Sequence, residues 1–132
     1  MPVQWVFRCY ISKDGTDEIR AWYERQSRKV QARFLSRLKG LSSIPFDEWN
    51  DTLHKALHGE CRGLNEIRFK ADRVQRRQLG FRSGEYEFTI LLCAIEKGNK
   101  FIPASACKIA LARKSEVKKE KDRTNGLWLA LE

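Results

Sequence analysis

Acidic residues are in short supply in this chain: 17 Asp and Glu stand against 26 Lys and Arg among 132 residues, a net charge of +9 with a pI near 9.7. So lopsided a small domain disfavours a cationic partner and makes a polyanion the leading partner class, through steering and counterion release. Two polyanions qualify, a nucleic acid and an acidic protein segment that shields the same surface; a basic domain with no anionic ligand is the plain alternative. Long apolar runs are also missing, and no stretch approaches the length needed to cross a bilayer. The opening MPVQWVFRCY has no basic region followed by a long apolar stretch, so it reads as a first strand rather than a signal peptide. These absences point to the cytoplasm. Cysteine is sparse, and Cys9, Cys61, Cys93 and Cys107 form neither a CxxC pair nor a compact framework, which favours reduced, buried thiols. No internal repeat, low-complexity linker, Gly-rich phosphate loop or nucleophilic Ser or Cys signature is present.

What is present is organised around residues 63–97, GLNEIRFKADRVQRRQLGFRSGEYEFTILLCAIEK, which read as an antiparallel meander. Ile67 and Phe69 alternate with Glu66, Arg68 and Lys70, so the apolar pair faces a core and the charges form a floor on the other side. The second segment, Arg73 to Ser83, carries Arg76, Arg77 and Arg82 around Leu79 and Phe81. Ser83-Gly84 suits a tight hairpin turn. Tyr86 to Ile95 is almost continuously apolar, as befits a central strand covered on both faces, and Gly98-Asn99 ends it.

Before the meander, Val3 to Ile11 alternates as a half-buried strand. Thr16 is placed to cap a helix running to about Lys39, with the stripe Ile19, Trp22, Tyr23, Val30, Phe34, Leu38 and Leu41. Its other side is basic, with Arg20, Arg25, Arg28, Lys29, Arg33 and Arg37, either a solvated face or an outer phosphate-binding surface. Trp49, Leu53, Ala56 and Leu57 predict a second short helix over 47–57 folded back on the first. His54 and His58 share one side of that helix, but no further ligand is near, so no metal site is expected. After the meander, Pro103 suits the start of a basic C-terminal helix that frays past Lys121. Leu127 to Leu131 is a short apolar tail that can add a strand, dock or stay mobile. The expectation is an α+β domain over 1–121, a small antiparallel or mixed sheet with an N-terminal helical hairpin on one face and a C-terminal helix, followed by a tail over 122–132.

This order, with GLNEIRF, RRQLGF and FTILLCAIEKGNKFIPASACKIALAR, resembles the RelE/HigB toxin family, in particular its phage-derived HigB-like branch. Gly63-Leu64-Asn65-Glu66-Ile67-Arg68 matches the branch's Gly-Leu-x-Glu-x-Arg strand. Arg77 falls at its second-strand arginine, and Lys97, Lys100 and Pro103 fall in its turn and helix start. The chain departs from the family where Gln78 and Gly80 follow Arg76-Arg77 in place of further aromatics, and where Glu96 stands in the turn.

The resemblance implies a RelE-like fold and the toxin of a type II toxin–antitoxin system, an endoribonuclease that cuts messenger RNA, free or in a translating ribosome, without metal or other cofactor. It also implies a cognate antitoxin, a small helix-turn-helix protein. Attack of a ribose 2′-OH on the neighbouring phosphate needs a base, cations for the phosphoryl oxygens and a proton for the leaving oxygen. Arg68 and Arg77 are the candidates for the phosphate, since a guanidinium fork gives two bonds and keeps its charge. Glu66 is either the base or a carboxylate that orients Arg68. Lys97, a catalytic candidate, and Lys100 serve the leaving side or the RNA backbone, or are simply solvated turn residues; Lys70, with Arg76 and Arg82 as weaker candidates, is assigned to RNA binding. Strict alternation sends Arg77 inward with Leu79 and Phe81 and leaves Arg76 and Arg82 on the open floor, whereas the resemblance favours Arg77; a bulge, or a helix covering part of the floor, reconciles the two. Inhibition of DNA gyrase in the manner of ParE, or RNA or antitoxin binding without catalysis, are the competing functions.

Overall fold

The computed structural model describes residues 3–131; Met1, Pro2 and Glu132 lie outside the described residues. The described residues build an α+β domain with three helices and a seven-stranded open mixed sheet. Strands β1 (Val6–Tyr10), β2 (His54–Ala56), β3 (Asn65–Ala71), β4 (Val74–Gly84), β5 (Glu87–Lys97) and β7 (Thr124–Gly126) lie in the order β2-β3-β4-β5-β1-β7, and β6 (Lys100–Ile102) pairs with the far end of β5. Among the described residues only β1 and β5 run parallel, and every other strand pairing is antiparallel. The segment read as a tail supplies β7, and Leu127 and Trp128 pack against the core. No helix of the described residues is long and apolar enough to cross a membrane.

The single helix expected from Thr16 to about Lys39 is two. Asp17, not Thr16, caps α1 (Glu18–Glu24), accepting from the Arg20 N–H at 2.9 Å. Ser27 then caps α2 (Arg28–Ser42), its hydroxyl accepting from the Val30 N–H at 3.3 Å, so the chain restarts a helix where a local oxygen satisfies the free N–H groups. The helix expected over 47–57, and with it the N-terminal hairpin, is also corrected. After a short 3-10 turn over Phe46–Glu48, the Asn50 side chain accepts from the Thr52 N–H at 3.0 Å and turns the chain, and 54–56 pair with the edge of β3. His54 and His58 are therefore not one helical turn apart. His54 is buried against the Phe46 and Trp49 rings and bonds the Asn65 side chain, and burial holds its pKa below the ordinary histidine value.

Helices cover both faces of the sheet. Ile67, Phe69, Ala71, Phe88 and Ile90 meet Val30, Phe34, Leu38 and Leu41 of α2 in one core. Leu64, Leu79, Phe81, Leu91 and Ala94 meet Ala106, Cys107 and Ala110 of α3 (Ala106–Lys119) in a second. The expected charged floor is thus half core, and its charges are confined to the end that α3 leaves uncovered. A register shift between Leu79 and Gly80 brings both Leu91 and Leu92 of β5 to the α3 side. A Cβ at Gly80 would sit 2.2 Å from the Thr89 carbonyl oxygen and 2.6 Å from the Phe88 ring. Gly80→Ala therefore loses about 1–3 kcal/mol of stability, read as a fall in the urea midpoint at unchanged slope.

The cysteine expectation is corrected too. Cys61 and Cys107, 46 residues apart in sequence, are joined in a disulfide that ties the loop before β3 to the first turn of α3, while Cys9 and Cys93 are free. Closing a loop of that length constrains the unfolded chain, so reduction costs about 2–4 kcal/mol, measurable as a lower melting temperature in dithiothreitol. Only two thiols react when the oxidised protein is denatured and titrated with a thiol reagent.

Candidate functional site

Alternation along β3 places Glu66, Arg68 and Lys70 on the α3 side of the sheet, and register sets Arg68 opposite Arg77 of β4. The pairing gathers four charges. Glu66 Oε2 lies 3.2 Å from Arg68 Nε and 3.5 Å from Arg77 Nε, and Arg77 Nε lies 3.1 Å from Glu96 Oε1. Glu66 and Arg77 are each only 3% exposed. Arg77 spends its remaining donors on the Arg76 carbonyl at 3.0 Å and the Gln75 side chain at 3.4 Å. It is a buried strut between two carboxylates: three of its five N–H groups have protein partners, and at 3% exposure little of the guanidinium faces the cleft. Burial pushes the Glu66 carboxyl above the usual carboxylate range, and the guanidiniums of Arg77 and then Arg68 pull it back.

Arg68 is different. Its side chain is 27% exposed, it donates from Nη1 to the Asp51 carbonyl at 2.8 Å, and it borders a shallow cleft of about 380 Å³. Lys70, Arg37 from α2 and the edge of Arg77 line the same cleft, with Asp51 and Thr52 from the turn before β2. Arg37 Nε is buried without a hydrogen-bond partner. Burial, reinforced by the neighbouring Arg33 charge, lowers the Arg37 pKa from its ordinary value. Among the described residues no carboxylate lies within ion-pair distance of Arg33, Arg37 or Lys70. Cations brought together without counterions, one of them partly desolvated, make a site for an anion that supplies both charge and acceptors.

The other candidates lie elsewhere. Arg76 points to the opposite face, where it reaches Gln26 at 3.4 Å, and Arg82 sits on that face too, 4.8 Å over the Phe46 ring and bonded to the Glu85 carbonyl. Arg77 thus faces α3 with Leu79 and Phe81, as alternation requires, beside Arg68, as the motif match requires. Lys97 and Lys100 face each other at the exposed tip of the β5–β6 hairpin, on the other side of the strand from Glu96. Lys97 borders a separate depression with Val74, Ile95 and Ile102. Among the described residues no group of three or more His, Cys, Asp or Glu side chains is arranged to hold a metal.

Protein-family models, curated proteins and solved structures were each compared with the chain, and none matches it. What can be said of the site therefore rests on its side chains. Arg37 and Asp51 were not singled out as site residues in the sequence, because they lie far along the chain from Arg68 and only the packing of α2 against β3 brings them to it. The one signal available was the basic side of the first helix, on which Arg37 already stood.

Proposed function

We propose that this protein is an RNA endoribonuclease of the RelE/HigB toxin kind, acting at the cleft bordered by Arg68, Arg37 and Lys70. The convergence of these three cations on one depression, with Glu66 directly behind Arg68, is the observation that carries the reading. A phosphate in the cleft takes the free edge of Arg68 and the charge of Arg37 and Lys70. The 2′-OH of the preceding ribose attacks phosphorus, the bond to the 5′ oxygen breaks, and that oxygen takes a proton from water, giving a 2′,3′-cyclic phosphate and a 5′-hydroxyl. The arginines stabilise the charge that collects on the phosphoryl oxygens. Glu66 takes the proton of the attacking hydroxyl, a task that its raised pKa suits. An antitoxin silences the toxin by laying acidic side chains across the same cations.

A second reading, RNA binding without cleavage, is favoured by the 3% exposure of Glu66, which lies beneath Arg68 rather than in the cleft. Here Glu66 only positions Arg68 and Arg77. Single-stranded RNA labelled at its 5′ end, incubated with the protein between pH 5 and 9 with and without ribosomes, separates the two. Under the first reading cyclic-phosphate products form, their rate climbs with pH as Glu66 loses its proton, and Glu66→Gln removes that limb. Intact RNA at every pH, alongside tight binding, rules cleavage out and leaves the second. An RNA target is met in the cytoplasm.

A further inference from the structure

The cleft does not end at Arg37. Two further depressions continue it along the seam between α2 and the free edge of β3, one lined by Arg33, Arg37 and Lys70, the next by Lys29, Arg33, Lys70 and Arg73. Lys29, Arg33 and Arg37 are four residues apart on one helix, so they share a face at steps of about 6 Å along its axis. That step is close to the phosphate repeat of an extended single-stranded backbone. On the facing side, β2 stops at its pairing with Asn65–Ile67, so β3 beyond Arg68 is an open edge that leaves room for a strand to lie alongside.

Arg73 continues the line. It occupies the β3–β4 turn with φ 63°, a left-handed conformation that glycine or asparagine adopts at far lower cost. Asp72 before it has φ 53°, so the turn holds both residues in that conformation, and Arg73 is the cation of the two, lining the third depression with Lys29. The acids at the seam are Asp51, which lines the cleft, and Asp72, which lines the third depression, lies 3.9 Å from Lys29 and accepts from the Ser27 hydroxyl at 3.1 Å. Neither pairs with Arg33, Arg37 or Lys70. The one aromatic lining the first two depressions is Phe69, which is buried, so no ring is offered to a base.

We infer that this seam is a phosphate track for single-stranded RNA, seating three successive phosphates against Arg68 and Arg37, against Arg33 and Lys70, and against Lys29 and Arg73. The inference rests on the RNA reading of the cleft and extends it. The track grips the backbone without reading bases, and a single strand can lie along the open edge of β3.

The test uses a single-stranded 2′-O-methyl RNA, which lacks the attacking hydroxyl, with binding followed by fluorescence anisotropy over a range of salt. Lys29→Ala/Arg33→Ala lowers the slope of log K against log salt by about 1.4, the loss of two single-strand phosphate contacts. Arg28→Ala removes the same kind of charge from a helix position that lines none of the three depressions, and leaves the slope unchanged. Arg73→Gly weakens binding while the urea midpoint holds or rises, an outcome that a purely structural arginine would not give. Equal losses from Arg28→Ala and the double variant, equally tight binding of duplex RNA, or displacement by polyglutamate of matched charge at equal affinity overturns the track. Cutting of unmodified RNA, followed in parallel, separates this failure from that of the nuclease reading. Full-slope binding without cutting keeps the track and removes the nuclease, and unchanged cutting by the double variant does the reverse.

Discussion

Under the proposed nuclease reading, Arg68→Ala is expected to cut RNA about 100- to 1,000-fold more slowly than the parent protein and to unfold at nearly the same urea concentration. The rate falls because Arg68, 27% exposed, is the more open of the two motif arginines at the cleft, whereas Arg77 is 3% exposed and held by Glu66, Glu96, the Arg76 carbonyl and Gln75. Removing a preformed donor from a charge-gathering transition state costs that much elsewhere. Stability holds because Glu66 keeps Arg77 as its partner and because Arg68 is partly exposed. Arg68→Lys gives an intermediate rate, since an ammonium restores the charge but not the planar fork. Initial rates on labelled RNA, set beside denaturation curves, check both halves. A large loss of stability in Arg68→Ala would mean that the side chain is a structural strut and not a phosphate ligand.

The reverse pattern is expected for Arg77→Met, which loses about 3–5 kcal/mol of folding stability. Methionine fills much of the same space, so packing is largely kept. The damage is electrostatic: Glu66, 3% exposed, is left with only the more exposed Arg68 to offset its burial. Because a domain of this size has only about 5–15 kcal/mol in total, the loss takes a large part of the margin. The deficit also depends on pH. With Arg77 gone, the Glu66 pKa in the folded state moves further above its unfolded value, so folding takes up a proton; the penalty is absent below the unfolded value and is felt in full once the pH passes the folded one. Denaturation curves at pH 4 and pH 8 should therefore differ more for the variant than for the parent. Glu66→Gln/Arg77→Met recovers more than half of the loss, because no buried carboxylate remains to be neutralised. A flat pH response, or no recovery in the double variant, would place the cost in packing instead.

The meander was legible because its signals are local. Alternation at Ile67 and Phe69, the apolar run from Phe88 to Ile95 and the turn pair Gly98-Asn99 each fix one strand or turn without reference to the rest of the chain. The same holds for the α2 stripe of Val30, Phe34, Leu38 and Leu41. The break before Ser27 was hidden, since the apolar spacing carries on across it and the hydroxyl that restarts the helix looks like any polar residue. The stretch 47–57 was misread because four apolar residues at helical spacing outweighed Asn50, whose side chain turns the chain instead. At the site, Glu66 and Arg68 could be joined from their spacing of two. Their link to Arg77 needed the strand register, and that to Arg37 needed the helix packed in place. The Cys61–Cys107 bond is invisible for the same reason, as a separation of 46 residues says nothing about proximity in space.

The parallel seating of β1 between β5 and β7 has a consequence for how the molecule is made. Val6 finds its partner only at Glu87, and Tyr10 waits for Thr124, so a nascent chain carries β1 unpaired until β5 is made and with one edge still open until β7 follows. Pairings so distant in sequence close slowly, and a ribbon left open meanwhile is prone to stick to others like it.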